Sequence, residues 1–222
     1  RLDGKLERGA EIYAAANDKE QAQQVFGEAM RMILASPTLR RRLKVFRGTK
    51  TILRDAASWF KALPCNDATT EGKNAYVVIV DEIHVFGRKA SAVFNALRYS
   101  TIARRQPLTV IITTAGEETL GIGYEEYQYA KAVADGTKRD LSYLAVICEA
   151  NKADDWTSED VWRKANPNLG VTTKIDEMRA ACERAKSDAS ERRRFMRYRL
   201  NMWVNASTPW LDHARWLERV DA

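Results

Sequence analysis

The chain has 222 residues, a mass of 25.2 kDa, 45% hydrophobic and 30% charged residues, and a formal charge of +6 with a pI near 9.2. That is long enough to bury a sizeable core and too apolar for a disordered segment, and no apolar run approaches the ~18 residues that span a membrane. Cys65, Cys148 and Cys182 are scattered and His84 and His213 are the only histidines, so neither a disulfide framework nor a zinc site organises the fold. The basic balance suits a polyanionic partner without requiring one.

The opening RLDGKLERG carries no secretory leader pattern, which points to the cytoplasm, and its first residue is not Met, which points to a piece of something longer. Residues 11 to 16 (EIYAAA) predict a strand. Asn17 with Glu20 predicts the cap of a helix on which Ala22, Val25, Phe26, Ala29, Met30 and Ile33 recur at helical spacing. From 36 to 63 turn signals at Pro37 and Gly48, with Pro64 just beyond, break the pattern into a helix end and a small hairpin-like insertion.

Residues 75 to 80 predict a buried strand, 88 to 103 a helix with Ala92, Val93, Ala96 and Leu97 on one face, and 108 to 114 a second buried strand. Strand, helix, strand with doubly buried strands is the signature of a parallel α/β sheet. A further helix is predicted at 123 to 135, closed by Gly136, and a last strand at 141 to 149. Beyond Asn151 the text turns helical, charged and rich in tryptophan, with Trp156, Trp162, Trp203, Trp210 and Trp216. A domain boundary is therefore expected there, giving an α/β core over 1–150 and a helical subdomain over 151–222. Packing accounts for these indoles better than base stacking, because a small subdomain without a sheet needs large apolar surfaces.

The chemistry concentrates where the apolar run 75–80 meets two acids, Asp81 and Glu82. Ligands of parallel sheets bind beyond the carboxyl ends of the strands. There, nucleoside triphosphate hydrolases use a terminal aspartate to hold the water shell of Mg²⁺ and a following glutamate to orient and deprotonate the attacking water. Asp81 is thus the candidate metal ligand and Glu82 the candidate catalytic base. The second strand ends in Thr113, Thr114, Ala115 and Gly116, hydroxyls followed by small residues, which suits a γ-phosphate sensor that passes hydrolysis on to a mobile segment. No Gly-x-x-x-x-Gly-Lys-Ser/Thr occurs, so the loop that cradles the β-phosphate is not among these residues, and weak or no ATP binding is expected of the chain as it stands.

With these residues in view, the sequence resembles the large terminase subunit of tailed bacteriophages. The likeness runs through GAEIYAAANDKEQA (9–22), VVIVDEIHVF (77–86), RRQPLTVIITTAGE (104–117), NPNLG (166–170) and RLNMWVNASTPWL (199–211), in order. The resemblance implies an additional-strand P-loop ATPase core with a helical linker, using ATP and Mg²⁺, with Asp81, Glu82 and Thr113–Gly116 in the roles above. It also implies a P-loop strand before residue 11 and an RNase H-like nuclease after about 222, both outside this sequence. The implied partners are duplex DNA, the capsid portal, the small terminase subunit and further copies of the chain in a ring, in the host cytoplasm and with no membrane.

Ring motors set an arginine of one subunit against the γ-phosphate of the next. The candidates are Arg88, Arg98, Arg104 and Arg105, with no ground for choosing among them. Arg40, Arg41, Arg42, Lys44 and Arg47 form a run without acids and are candidate DNA contacts; the arginines of 192–199 read instead as the solvated side of an amphipathic helix. Two alternatives stand beside the motor. DEIH (81–84) is also a helicase string, although a second RecA-like domain is not evident, and an ATPase fold without turnover would serve as a scaffold.

Overall fold

The computed structural model describes residues 9–49, 51–54, 57–65, 72–117 and 120–204. The chain falls into two compact units, 1–113 and 114–222.

The first unit is built on six strands: β1 (Glu11–Ala16), β2 (Lys44–Phe46), β3 (Thr51–Leu53), β4 (Trp59–Pro64), β5 (Ala75–Asp81) and β6 (Leu108–Ile112). Their order is β2-β3-β4-β1-β5-β6, with β4, β1, β5 and β6 parallel and the β2/β3 hairpin antiparallel at one edge. This is a mixed α/β fold on a mostly parallel sheet, as the sequence predicts. Tyr13, Ala14, Ala15 and Ala16 of β1 are all buried, the mark of a central strand covered on both faces.

Helix α1 (Lys19–Ala35) follows β1 and is capped by Asp18, whose carboxylate accepts the N–H groups of Glu20 and Gln21 at 2.8 and 3.0 Å. The cap thus lies one residue beyond the predicted Asn17. Asp18 reaches two of the helix's unpaired donors, a contribution of about 1 kcal/mol. Ala22, Phe26 and Ile33 form its buried stripe, packed with Ile52 and Ala62 of the sheet. Ser36 ends α1 and caps α2 (Pro37–Arg42), where proline at the first position stops one helix and starts the next.

Three expectations are corrected in this unit. The segment read as a hairpin-like insertion contains that hairpin, but its last part, β4, leaves it and pairs in parallel with β1 from Glu11↔Trp59 to Ala16↔Pro64. Lys61 and Pro64 masked a core strand: the lysine is exposed, and the proline stands at the end, where its missing N–H is least needed. On helix α3 (Arg88–Tyr99) the buried face is Ala90, Val93, Phe94 and Leu97 rather than one including Ala92 and Ala96, since the bulkier ring sets which stripe turns inward. Strand β6 is not doubly covered. It ends the sheet among the described residues, with Leu108 and Ile112 more than half exposed.

The second unit is helical: α4 (Ile122–Ala134), α5 (Glu159–Ala165), α6 (Ile175–Ser187) and α7 (Ala189–Leu200). Its core gathers Trp162, Met178, Cys182, Phe195 and Leu200, with Trp156 and Met202 against it. Trp156 and Trp162 meet Phe195 edge-on, and Trp162 Nε1 donates to the Trp156 carbonyl at 2.8 Å. These two indoles therefore pack, and Trp203 meets Tyr124 and Tyr127. Trp210, Trp216 and His213 lie outside the described residues.

The strand predicted at 141–149 does not form; residues 143–150 have no regular structure. A ladder needs a neighbouring backbone, and here the neighbour is a helix end. Ala150 N–H donates to the Leu200 carbonyl at 3.0 Å, and the Cys148 carbonyl accepts from Asn201 Nδ2 at 3.0 Å. The buried Glu149 carboxylate takes the Tyr127 hydroxyl at 2.8 Å and the Lys131 ammonium at 2.7 Å, fixing this stretch to α4. These contacts explain why the break between units falls after Thr113 while the composition changes only near Asn151. No helix among the described residues is long and apolar enough to cross a membrane.

Candidate functional site

Strand β5 carries its apolar side chains into the core, with Ala75, Val78 and Val80 fully buried, and ends at Asp81, paired with Ile112 of β6. One more bond extends the ladder, Glu82 N–H to the Ile112 carbonyl at 2.8 Å. Glu82 then takes a left-handed conformation, φ 53° and ψ 49°, and the chain turns into a 3₁₀ helix at Ile83–Val85 anchored by fully buried Ile83. A non-glycine residue in that region costs about 1–2 kcal/mol, and such strain gathers at functional sites, where the surrounding structure holds it. The apolar run ends in two acids because the ladder stops there and the backbone swings the second carboxylate out of the strand.

The Asp81 carboxyl is raised above its ordinary range, first by burial and then by the Glu82 charge, partly offset by the Glu82 backbone N–H. A carboxylate held against desolvation and a like charge is one that a cation would relieve. Beside it, the Nδ1 of His84 lies 3.0 Å from Glu82 Oε2 and 3.0 Å from Thr113 Oγ1, and the His84 backbone N–H donates to the same Thr113 oxygen at 3.2 Å. Glu82 and Thr113 are therefore brought together at adjacent strand ends, through a histidine that the sequence shows only as part of DEIH.

Thr113 closes the first unit, and Thr114, Ala115 and Gly116 open the second. Within that second unit, Ala115 N–H donates to Asn201 Oδ1 at 2.7 Å, the Ala115 carbonyl accepts from Arg197 Nε at 3.2 Å, and Glu117 pairs with Arg197. Asn201 is itself left-handed, φ 53°, as the cap ending α7, a conformation that asparagine tolerates and that leaves its amide free to bridge Ala115 and Cys148. Asn201 and Arg197 lie in the stretches 199–211 and 192–199, but nothing in the sequence shows that they grip residues 115–117.

The arginine candidates separate. Arg88 is the first residue of α3 and exposed, at the end of the helix that follows the acidic pair. Arg98 and Arg105 are exposed, one in the last turn of α3 and the other just before β6 begins, whereas the acidic pair stands where β5 ends. Arg104 bonds the Gly9 carbonyl at 2.6 Å and the Asn74 carbonyl at 2.6 and 3.1 Å, tying together the starts of β1 and β5. Arg40, Arg41 and Arg42 fill the last turn of α2, and Lys44 and Arg47 stand on and just after the edge strand β2; all five are exposed. The 192–199 arginines are largely engaged: Arg192 stacks over Trp156, Arg194 pairs with Glu191 and Arg197 with Glu117.

Among the described residues no three of His, Cys, Asp and Glu gather as a metal cluster. Mg²⁺ in nucleotide sites asks for only one or two carboxylates, with water and phosphates supplying the rest.

Comparison with known families runs along the same lines. The model for the terminase large subunit ATPase domain matches residues 2–132, and the model for the terminase large subunit endonuclease domain matches 137–220. The second match corrects the expectation that the nuclease lies wholly beyond residue 222. It was hidden because α5–α7 are the regular elements of the described part of 137–220, and its strand-like stretch, 141–149, forms no strand. Protein YmfN of Escherichia coli (strain K12) is 30% identical over 146 residues, covering 66% of this chain and 32% of that protein. The terminase large subunit of Enterobacteria phage HK97 is 25% identical over 211 residues, covering 94% and 41%. The crystal structure of the HK97 large terminase superposes with a TM-score of 0.76 at 23% identity, over 96% of this chain and 44% of that one. The chain thus spans about a third to two fifths of the curated relatives it matches. With one family model accounting for the α/β unit and a second for most of the helical unit, the chain belongs to the family of phage terminase large subunits, not to that of the helicases whose DEIH string it shares.

Proposed function

We propose that these residues form the hydrolytic edge and the linker of an ATP-driven motor that moves duplex DNA into a procapsid. The observation that carries the reading is the meeting of strained Glu82 and Thr113 at adjacent ends of parallel β5 and β6, beside half-buried Asp81. Asp81 would hold the water shell of Mg²⁺, and Glu82 would orient a water and accept its proton. The metal, when bound with ATP, supplies charge neutralisation across the phosphates. The chain carries no P-loop pattern, and β6, with Leu108 and Ile112 exposed, ends the sheet among the described residues, where a further strand of the intact protein would pair.

Thr113 bonds His84 beside Glu82 at the end of β6, which supports a coupling role for Thr113–Gly116. Within the second unit, Asn201 and Arg197 hold Ala115 to the end of α7. The basic run Arg40–Arg47 supports a salt-dependent, sequence-independent attraction to duplex DNA, and Arg88 is the arginine best stationed for a neighbouring subunit's nucleotide. Ring assembly, the portal and the small subunit complete the proposal as partners of the intact protein.

Thr114→Ala in the intact subunit tests the coupling role. ATP turnover should stay within about twofold while the DNA moved per ATP falls several-fold, read by packaging and hydrolysis assays run in parallel. Loss of nucleotide binding with normal coupling would count against it.

A further inference from the structure

The histidine between the two strand ends is used by none of the roles above, although its ring is nearly buried, with a side chain 10% exposed against 35% for Glu82. Its Nδ1 stands at the same distance, 3.0 Å, from Glu82 Oε2 and from Thr113 Oγ1. An ionised carboxylate only accepts hydrogen bonds, so Nδ1 must be the donor toward Glu82, and the ring carries its proton there. Thr113 Oγ1 has two lone pairs: one takes the His84 backbone N–H at 3.2 Å, and the other faces the same Nδ1–H. One proton is thus shared between two acceptors. The backbones beneath them cannot adjust freely, because Glu82 N–H is fixed to the Ile112 carbonyl and His84 N–H to Thr113 itself. Only the side chains move, and what one acceptor loses of this proton the other gains.

We infer that His84 is the positioning residue of this site: it holds the Glu82 carboxylate in its working orientation and, through one shared N–H, makes the bonding of Thr113 depend on where that carboxylate points. When Glu82 faces His84, the charged acceptor takes most of the bond, since charge-assisted hydrogen bonds are the stronger. When Glu82 turns to a water, the N–H falls wholly to Thr113, the last residue before the joint to the second unit. No proton changes atom in this exchange. The inference rests on Glu82 as the base.

The test uses the intact subunit, with Mg²⁺-ATP turnover, KM for ATP and thermal melting measured on each variant. Asparagine carries an amide nitrogen where Nδ1 stands; glutamine places its amide at Nε2 instead. His84→Asn should therefore keep most of kcat, while His84→Gln and His84→Leu lose it about tenfold with KM unchanged, the scale of a lost orienting partner. Equal losses in all three His84 variants that track their melting temperatures would make the ring a packing element and overturn the inference. Glu82→Gln serves as the control: undiminished turnover there removes the base reading itself, whereas lost turnover there with wild-type rates in His84→Leu removes only the role of His84.

Discussion

Glu82→Gln in the intact subunit should bind ATP with near wild-type affinity and hydrolyse it some 10²–10⁴-fold more slowly, the range that a positioned general base supplies. The substitution keeps the side-chain length and an oxygen for His84 Nδ1 while removing the capacity to take a proton. The left-handed backbone at 82 is untouched, so the fold and the 3₁₀ turn over buried Ile83 should survive and melting should not fall. Single-turnover hydrolysis with a parallel nucleotide-binding titration separates the two effects. A variant that binds poorly and turns over normally once saturated would place Glu82 in binding instead of chemistry.

Asp81→Asn should have two effects of opposite sign. Mg²⁺-dependent turnover should fall on the order of 10²-fold or more, because a neutral amide is a poor partner for the hydrated cation. The metal-free protein should melt higher. The Asp81 carboxyl is raised by burial and by Glu82, so its ionised form costs the folded state stability at neutral pH. That cost is relieved as pH falls through the raised value, and asparagine removes it at every pH. The melting advantage of the variant should therefore be largest near neutrality and shrink on acidification. An Asp81→Asn protein that is less stable at neutral pH would mean that the carboxylate is held by favourable partners and is not waiting for a cation. Sites that trade stability for function behave in the predicted way.

Much of this was legible because the signals were local. The run 75–80 is apolar or aromatic throughout and the predicted strand 108–114 is rich in β-branched residues, so both strands follow from the sequence, and with them the positions of Asp81, Glu82 and Thr113. Strand β4 was not legible, since Lys61 and Pro64 look local while its parallel pairing with β1 is not. The reverse error at 141–149 has the same origin: apolar alternation states a preference, but the end of α7 and the Asn201 amide claim the backbone of 148–150. The division after Thr113 was invisible because packing set it, and the change of composition near Asn151 lies inside the second unit. His84 and Asn201 were visible as letters of DEIH and RLNMW, but their work depends on contacts 29 and 86 residues away in the chain, to Thr113 and Ala115.

ATP hydrolysis is expected to be performed at the ends of β5 and β6 and handed on from there. That placement is tested most directly by ATP hydrolysis of the intact subunit with Mg²⁺, in the presence and absence of duplex DNA, wild type beside Glu82→Gln. The wild type should show Mg²⁺-dependent turnover that DNA stimulates and that the single substitution abolishes. An intact wild-type protein with no turnover under either condition, or turnover indifferent to Glu82, would contradict the claim and leave the fold as a scaffold.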